Sequence, residues 1–139
     1  MTLILVSIIV TISATIAIII GGELEFSALS RESQKSFFAA DAGTECAIYW
    51  DIRKYSFSTS TPLAISCASY SGMPTESPND FFSFALGYSN GSCAEVTVDK
   101  RSPPATVIEA RGYNVANASG IQCQSTDPRL VERALRVTY

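Results

Sequence analysis

The residues able to do chemistry are few in this chain, and their types argue against catalysis. Its 139 residues include no histidine, so the commonest general base near neutral pH is missing. Asp41 and Glu45 lie four positions apart, which puts both carboxylates on one face of a helix. Such a pair can serve acid–base work, but on a helix it is more often a solvated face. No nucleophile elbow, phosphate-binding loop or dinucleotide-binding loop is present, and the acidic residues are too scattered for a calcium loop of the EF-hand kind. The sequence indicates no enzyme, cofactor or metal. With 10 basic and 13 acidic residues the net charge is −3, and no basic cluster exists, so it carries no electrostatic footprint for nucleic acid.

The remaining reactive groups are the four cysteines Cys46, Cys67, Cys93 and Cys123. Their spacing has no short pair of the zinc-site kind. In an exported chain an even count reads as two disulfides, the alternative being buried free thiols. Four cysteines allow only three connectivities. Cys67 and Cys93 both fall at strand edges near turns, so a Cys67–Cys93 pair is expected, leaving Cys46 to Cys123. Cys46 shares a helical face with Phe38, Ala42 and Tyr49, and that face is expected to lie on a sheet.

The elements that position these groups begin with an uncharged run from Leu3 to Ile20, long enough to cross a bilayer as a helix. Its apolar positions include Leu3, Ile4, Leu5, Ile8, Ile9, Ile12, Ile16 and Ile19. The first Lys or Arg is Arg31, on the far side of the run, whereas signal sequences and cytoplasmic flanks of membrane helices carry basic residues before it. Gly21-Gly22-Glu23-Leu24 makes a poor cleavage site. The expectation is therefore a short basic leader removed ahead of Met1, which becomes the processed N-terminus, with the apolar helix kept. Ser7, Thr11, Ser13 and Thr15 punctuate the run; their hydroxyls either bond back to the preceding turn or meet a neighbouring helix.

From Glu23 to Arg53 no proline occurs, and Leu24, Phe26, Leu29, Phe37, Phe38, Ala40, Ala47 and Ile48 recur at helical spacing. One helix from Met1 to about Arg53 is predicted. At ~1.5 Å rise per residue it would be roughly 80 Å long, so its second half must pack on something outside a membrane. Gly21-Gly22 costs a helix interior about 2 kcal/mol relative to alanine. Either the pair bends the helix gently, or residues before it lose helical hydrogen bonding when subunits pack, with any break expected between about Ser13 and Gly22. Strand patterns follow at Leu63–Cys67, Phe81–Tyr88, Ala94–Val98, Thr106–Tyr113 and Ala134–Tyr139, the third and fourth pairing antiparallel. Ser89-Asn-Gly-Ser92 suits a hairpin turn, Lys100–Pro104 a connector, and Ser69–Asn79 an exposed polar loop. The organisation is an apolar helix over 1–22 and a domain over 23–139 holding the amphipathic helix half and an antiparallel sheet. That is an α+β fold.

The opening Met1-Thr-Leu-Ile-Leu5 resembles the processed start of type IV pilins and type II secretion pseudopilins, with Leu5 where that family usually has glutamate. Phe37-Phe-Ala-Ala-Asp-Ala-Gly-Thr-Glu-Cys-Ala-Ile-Tyr-Trp50 resembles the helix of pilin-like proteins lacking that glutamate, and Arg111–Asn114 and Val131–Tyr139 resemble their last strands. The resemblance covers both ends, roughly half of the chain. It implies a pilin-like fold and a subunit that polymerises through its helix into a filament serving adhesion, motility, DNA uptake or secretion. Implied partners are other copies or other pilin-like subunits, membrane lipid before assembly, and the assembly machinery. Implied location is the cytoplasmic membrane, then the cell surface. Leu5 cannot pair with a neighbour's α-amine as the glutamate is thought to, which points toward a minor or tip subunit. The alternative is a monomeric exported binding domain, adhesin-like, tethered by its helix.

Mass spectrometry of the N-terminal peptide should find Met1 as the first residue, with an N-methyl group as the resemblance implies. A formyl-methionine, or a longer chain in the exported protein, would sink this expectation.

Overall fold

A computed structural model of the chain describes residues 2–57, 63–67, 70–72, 74–77, 80–119 and 121–139. One helix, α1, spans Thr2–Ile52. Among the described residues nine strands follow: β1 Ile65–Cys67, β2 Tyr70–Gly72, β3 Thr75–Ser77, β4 Phe81–Gly87, β5 Cys93–Ser102, β6 Ala105–Tyr113, β7 Asn117–Ser119, β8 Gln122–Gln124 and β9 Glu132–Thr138. The main sheet is antiparallel in the order β3-β4-β5-β6-β9; β1–β2 and β7–β8 are separate two-stranded hairpins. The predicted α+β class and all five predicted strands are present. The chain divides into two compact units, residues 1–31 and 32–139.

In the first unit α1 is continuous through Gly21 and Gly22. The expected break between Ser13 and Gly22 is therefore corrected. A Cβ at either glycine would meet nothing within 4 Å, so no packing force acts there to bend the chain. The hydroxyls bond back along the helix instead: Ser7 to Ile4 O, Thr11 to Ile8 O, Ser13 to Ile9 O and Thr15 to Thr11 O, at 2.6–2.9 Å.

In the second unit, the last part of α1 lies on the sheet through its smallest side chains. Ser36, Ala39, Ala40, Gly43 and Ala47 are buried, as are Thr44 and Cys46. The register explains the choice. One inward row is Leu86–Ala94–Gly112, the next Phe84–Val96–Ala110, the next Phe82–Val98–Ile108. At the small-residue row the helix backbone meets β6 directly: a Cβ on Gly112 would overlap the Ser36 carbonyl oxygen and lie 2.5 Å from Ala40 N. A Cβ on Gly43 would approach Val96 Cγ2 to 2.9 Å and Ala94 Cβ to 3.2 Å. At the large-residue row Phe57, which follows the helix, stacks on Phe84 and tilts against Phe82.

This close approach overturns the expected helix face. Phe38 and Tyr49 are 64% and 50% exposed and Ala42 is exposed, while Cys46 alone of that group is buried. Large rings would hold the helix away from Gly112. The disulfides differ from expectation for a related reason. They are Cys46–Cys67 and Cys93–Cys123, with Cα–Cα distances of 6.2 and 5.9 Å. Strand β1 does not join the main sheet but pairs with β2, and its Cys67 meets Cys46 on the buried helix face. Cys93, opening β5, meets Cys123 on the β7–β8 hairpin, a hairpin absent from the sequence reading. In the chain-entropy model each closure is worth about 3–4 kcal/mol.

The segment Ser69–Asn79, expected as a loop, holds β2 and β3; Ser69, Met73, Pro78 and Asn79 lie outside the described residues. The expected Ser56–Pro62 linker is described only at Ser56 and Phe57, both buried. The Asn90-Gly91 turn is present, with Gly91 at φ 79°, a conformation open to glycine.

Gly112→Ala should lower stability by ~3 kcal/mol or more, because a helix backbone rather than a flexible side chain occupies the space. A urea melt of the disulfide-intact protein checks this; an unchanged midpoint would show that the helix can yield.

Candidate functional site

The candidate site is the apolar helix surface. In the first unit Leu3, Ile4, Leu5, Ile8, Ile9, Ile12, Ile16 and Ile19 are all exposed, Leu3 at 84%. Met1 lies outside the described residues. The stretch Thr2–Ile20 carries no charge, and its helix is long and apolar enough to cross a membrane. Such a helix can be a membrane anchor or a signal sequence. Phe26 and Leu29, beyond the glycines, are exposed as well.

The second unit presents a further apolar set on its own helix segment: Phe37, Phe38, Tyr49 and Ile52. Phe37 and Phe38 touch edge to face at 5.9 Å, and Tyr49 and Trp50 at 5.7 Å. Sequence periodicity aimed Phe38 and Tyr49 of this set at the sheet. The signal that would have turned them outward is the Ser36-x-x-x-Ala40-x-x-Gly43-x-x-x-Ala47 stripe of small residues on the opposite side. Asp41 and Glu45, one turn apart, are half-buried and exposed respectively. Among the described residues no group of His, Cys, Asp or Glu is arranged to hold a metal ion.

Two polar clusters fix this helix segment in place, and a third holds the β7–β8 hairpin. The first centres on Asn114, just past β6 and 1% exposed. Its Nδ2 donates to Glu32 Oε2 and to Arg129 O, each at 2.9 Å, and its Oδ1 accepts from Val131 N at 2.6 Å. Asn114 thus ties the helix to the segment that leads into β9. The Asn114 amide and then Lys35 hold the Glu32 carboxyl below its ordinary value. The second cluster closes the helix end: the Tyr139 hydroxyl donates to Asp51 Oδ2 at 2.7 Å, and Lys100 pairs with Asp51 Oδ1. Burial, followed by Asp51, raises the Tyr139 phenol. The third holds the β7–β8 hairpin, where Glu95 accepts from Cys123 N at 2.6 Å and from the Tyr113 hydroxyl at 3.4 Å. Burial first, and Glu95 next, push Tyr113 up to about 12. Tyr88 donates to Ala39 O at 3.3 Å, and burial pushes its phenol up to about 12.

On the solvent face of the sheet Asp99 and Arg101 form a paired fork, with Arg101 over the Phe81 ring at 5.2 Å. The Arg101 guanidinium holds Asp99 at about 2. Arg111 pairs with Glu109 at 2.9 Å. These exposed pairs contribute little to stability. Their charges are largely matched within the face. Comparison with protein-family models, with curated proteins and with solved structures finds no match to this chain.

Asn114→Ala should cost about 1–3 kcal/mol, since the Val131 N–H and Arg129 C=O lose a buried partner. It should also raise the Glu32 pKa toward 4.5, its ordinary value, readable by carboxyl NMR titration. The sign follows from the lowered folded-state value. Glu32 adds stability above its ordinary pKa, and that contribution is lost as pH falls through the lowered value. A Glu32 titration identical in both proteins would remove Asn114 as the cause.

Proposed function

We propose that this chain is a structural, non-catalytic subunit of a type IV pilus or pseudopilus. It is held in the cytoplasmic membrane by its apolar helix and then polymerises through that helix into an extracellular helical filament. The observation that carries the reading is an uncharged helical stretch, exposed at every described position, that continues as the helix packed on a disulfide-closed sheet. The outward Phe37, Phe38, Tyr49 and Ile52 add apolar surface of the kind that marks protein–protein contact. Two disulfides suit an oxidising compartment outside the cytoplasm. The resemblance of Met1–Leu5 and Phe37–Trp50 to pilin-like proteins supplies the family.

The hydroxyls of Ser7, Thr11, Ser13 and Thr15 are satisfied within their own helix, so the apolar stretch is equally at home in lipid and among other helices. Storage in the membrane followed by transfer to a filament needs that property. Leu5 offers no acceptor to a neighbour's α-amine, and burying an unpaired ammonium costs several kcal/mol. A minor or tip position, with no subunit above it, avoids that cost.

Cryo-electron microscopy of filaments sheared from cells is the test, with the subunit identified from side-chain density and mass spectrometry. Ile12→Asp should remove the chain from filaments while leaving both disulfides and the sheet intact. A chain found solely as a membrane-held monomer, with surface filaments that never contain it, would leave the tethered binding domain as the better reading.

A further inference from the structure

Asp51 and Lys100 form an ion pair between the end of α1 and β5. Asp51 lies in the last turn of α1 and its side chain is 5% exposed; Lys100, on β5, is about three-quarters buried. Lys100 Nζ sits against Asp51 Oδ1, yet that oxygen receives no well-directed hydrogen bond. The other oxygen, Oδ2, accepts from the Tyr139 hydroxyl at 2.7 Å. Tyr55, Phe57, Pro103 and Pro104 wall a cavity of about 390 Å³ beside Lys100. An amine and a buried carboxyl are thus held in contact, with a hydroxyl donor on the carboxyl.

We propose that Asp51 and Lys100 are joined in the mature protein by an intramolecular isopeptide bond between Lys100 Nζ and Asp51 Cγ. A proton passes from the Lys100 ammonium to the Asp51 carboxylate, leaving an amine and a carboxylic acid. The amine lone pair attacks Cγ. The Tyr139 O–H, already donating to Oδ2, stabilises the negative charge that develops on that oxygen. The C–N bond forms, the Cγ–Oδ1 bond breaks, and Oδ1 leaves as water, carrying the acid proton and one proton from the nitrogen. Ammonium plus carboxylate gives amide plus water, so charge and atoms balance with no co-reactant and no change of oxidation state.

Two physical arguments favour the step. Groups fixed in reacting contact gain effective molarities of ~10⁵ M or more over free reactants. A buried ion pair also carries a desolvation penalty, which the uncharged amide does not. The rise of the Tyr139 phenol keeps its hydroxyl protonated, and so a donor, across physiological pH. The bond would join the end of α1 to β5, adding a non-reducible link between helix and sheet.

The test is tandem mass spectrometry of the full-length, detergent-solubilised protein after reduction and tryptic digestion. A branched peptide joining the Asp51 and Lys100 segments, lighter by one water and uncleaved after Lys100, is expected. Lys100→Arg keeps the cation and the ion pair but should abolish the branched peptide. Tyr139→Phe should slow its appearance in pulse-labelled chain about 100-fold. Separate linear peptides, cleaved after Lys100, from protein with both disulfides intact would overturn the proposal. A branched peptide forming at the normal rate in Tyr139→Phe would overturn the role given to Tyr139.

Discussion

The contact between helix backbone and strand β6 at Gly112 is the constraint on which the second unit depends. Because a carbonyl of the helix occupies the place of a Cβ, helix and sheet lie at the distance set by backbone atoms and methyl groups. Every buried helix position near that contact must then be small, and Ser36, Ala39, Ala40, Gly43 and Ala47 are. Phe37, Phe38, Tyr49 and Ile52 of the same helix turn outward. The exposed rings are therefore a consequence of how the core is built, and they become available surface at no cost to packing.

Farther from Gly112 the sheet's inward side chains enlarge, and Phe57 fills the space against Phe82 and Phe84. The interior is thus graded, from backbone contact at one end to stacked aromatic rings at the other. Polar ties sit at both ends of this interior. Asn114 secures the narrow end near Glu32, and Asp51, Lys100 and Tyr139 secure the helix terminus. The disulfides hold the two small hairpins, which are too short to be stable alone.

Much of this was legible in the sequence, because period and punctuation are local. The helix ended within one residue of its predicted end, and strands β4 to β6 and β9 followed from alternation and from Asn90-Gly91. What was not legible was depth. Periodicity shows that Phe38, Ala42, Cys46 and Tyr49 share a side, but the side that turns inward depends on Gly112, far away in sequence. The cysteine pairing failed with it, since β1 and the β7–β8 hairpin are short and weakly patterned, and their positions come from tertiary contacts. Gly21-Gly22 misled in the other direction: propensity alone suggested a break, whereas nothing presses on that part of the helix. At the candidate site, the apolar run was plain from its lack of charge, while Asn114 and the Asp51 cluster were invisible as partners.

The chain's single tryptophan occupies an informative place. Trp50 Nε1 donates to Ser66 O at 3.3 Å and lies 3.2 Å from Cys67 Sγ, against the Cys46–Cys67 bridge. A disulfide in contact with an excited indole can accept an electron from it, so the expected tryptophan emission of the folded, oxidised protein is weak. Light emitted at tryptophan wavelengths then reports one event, the separation of the β1 hairpin from the helix. The molecule carries its own optical gauge of that joint, readable without any label.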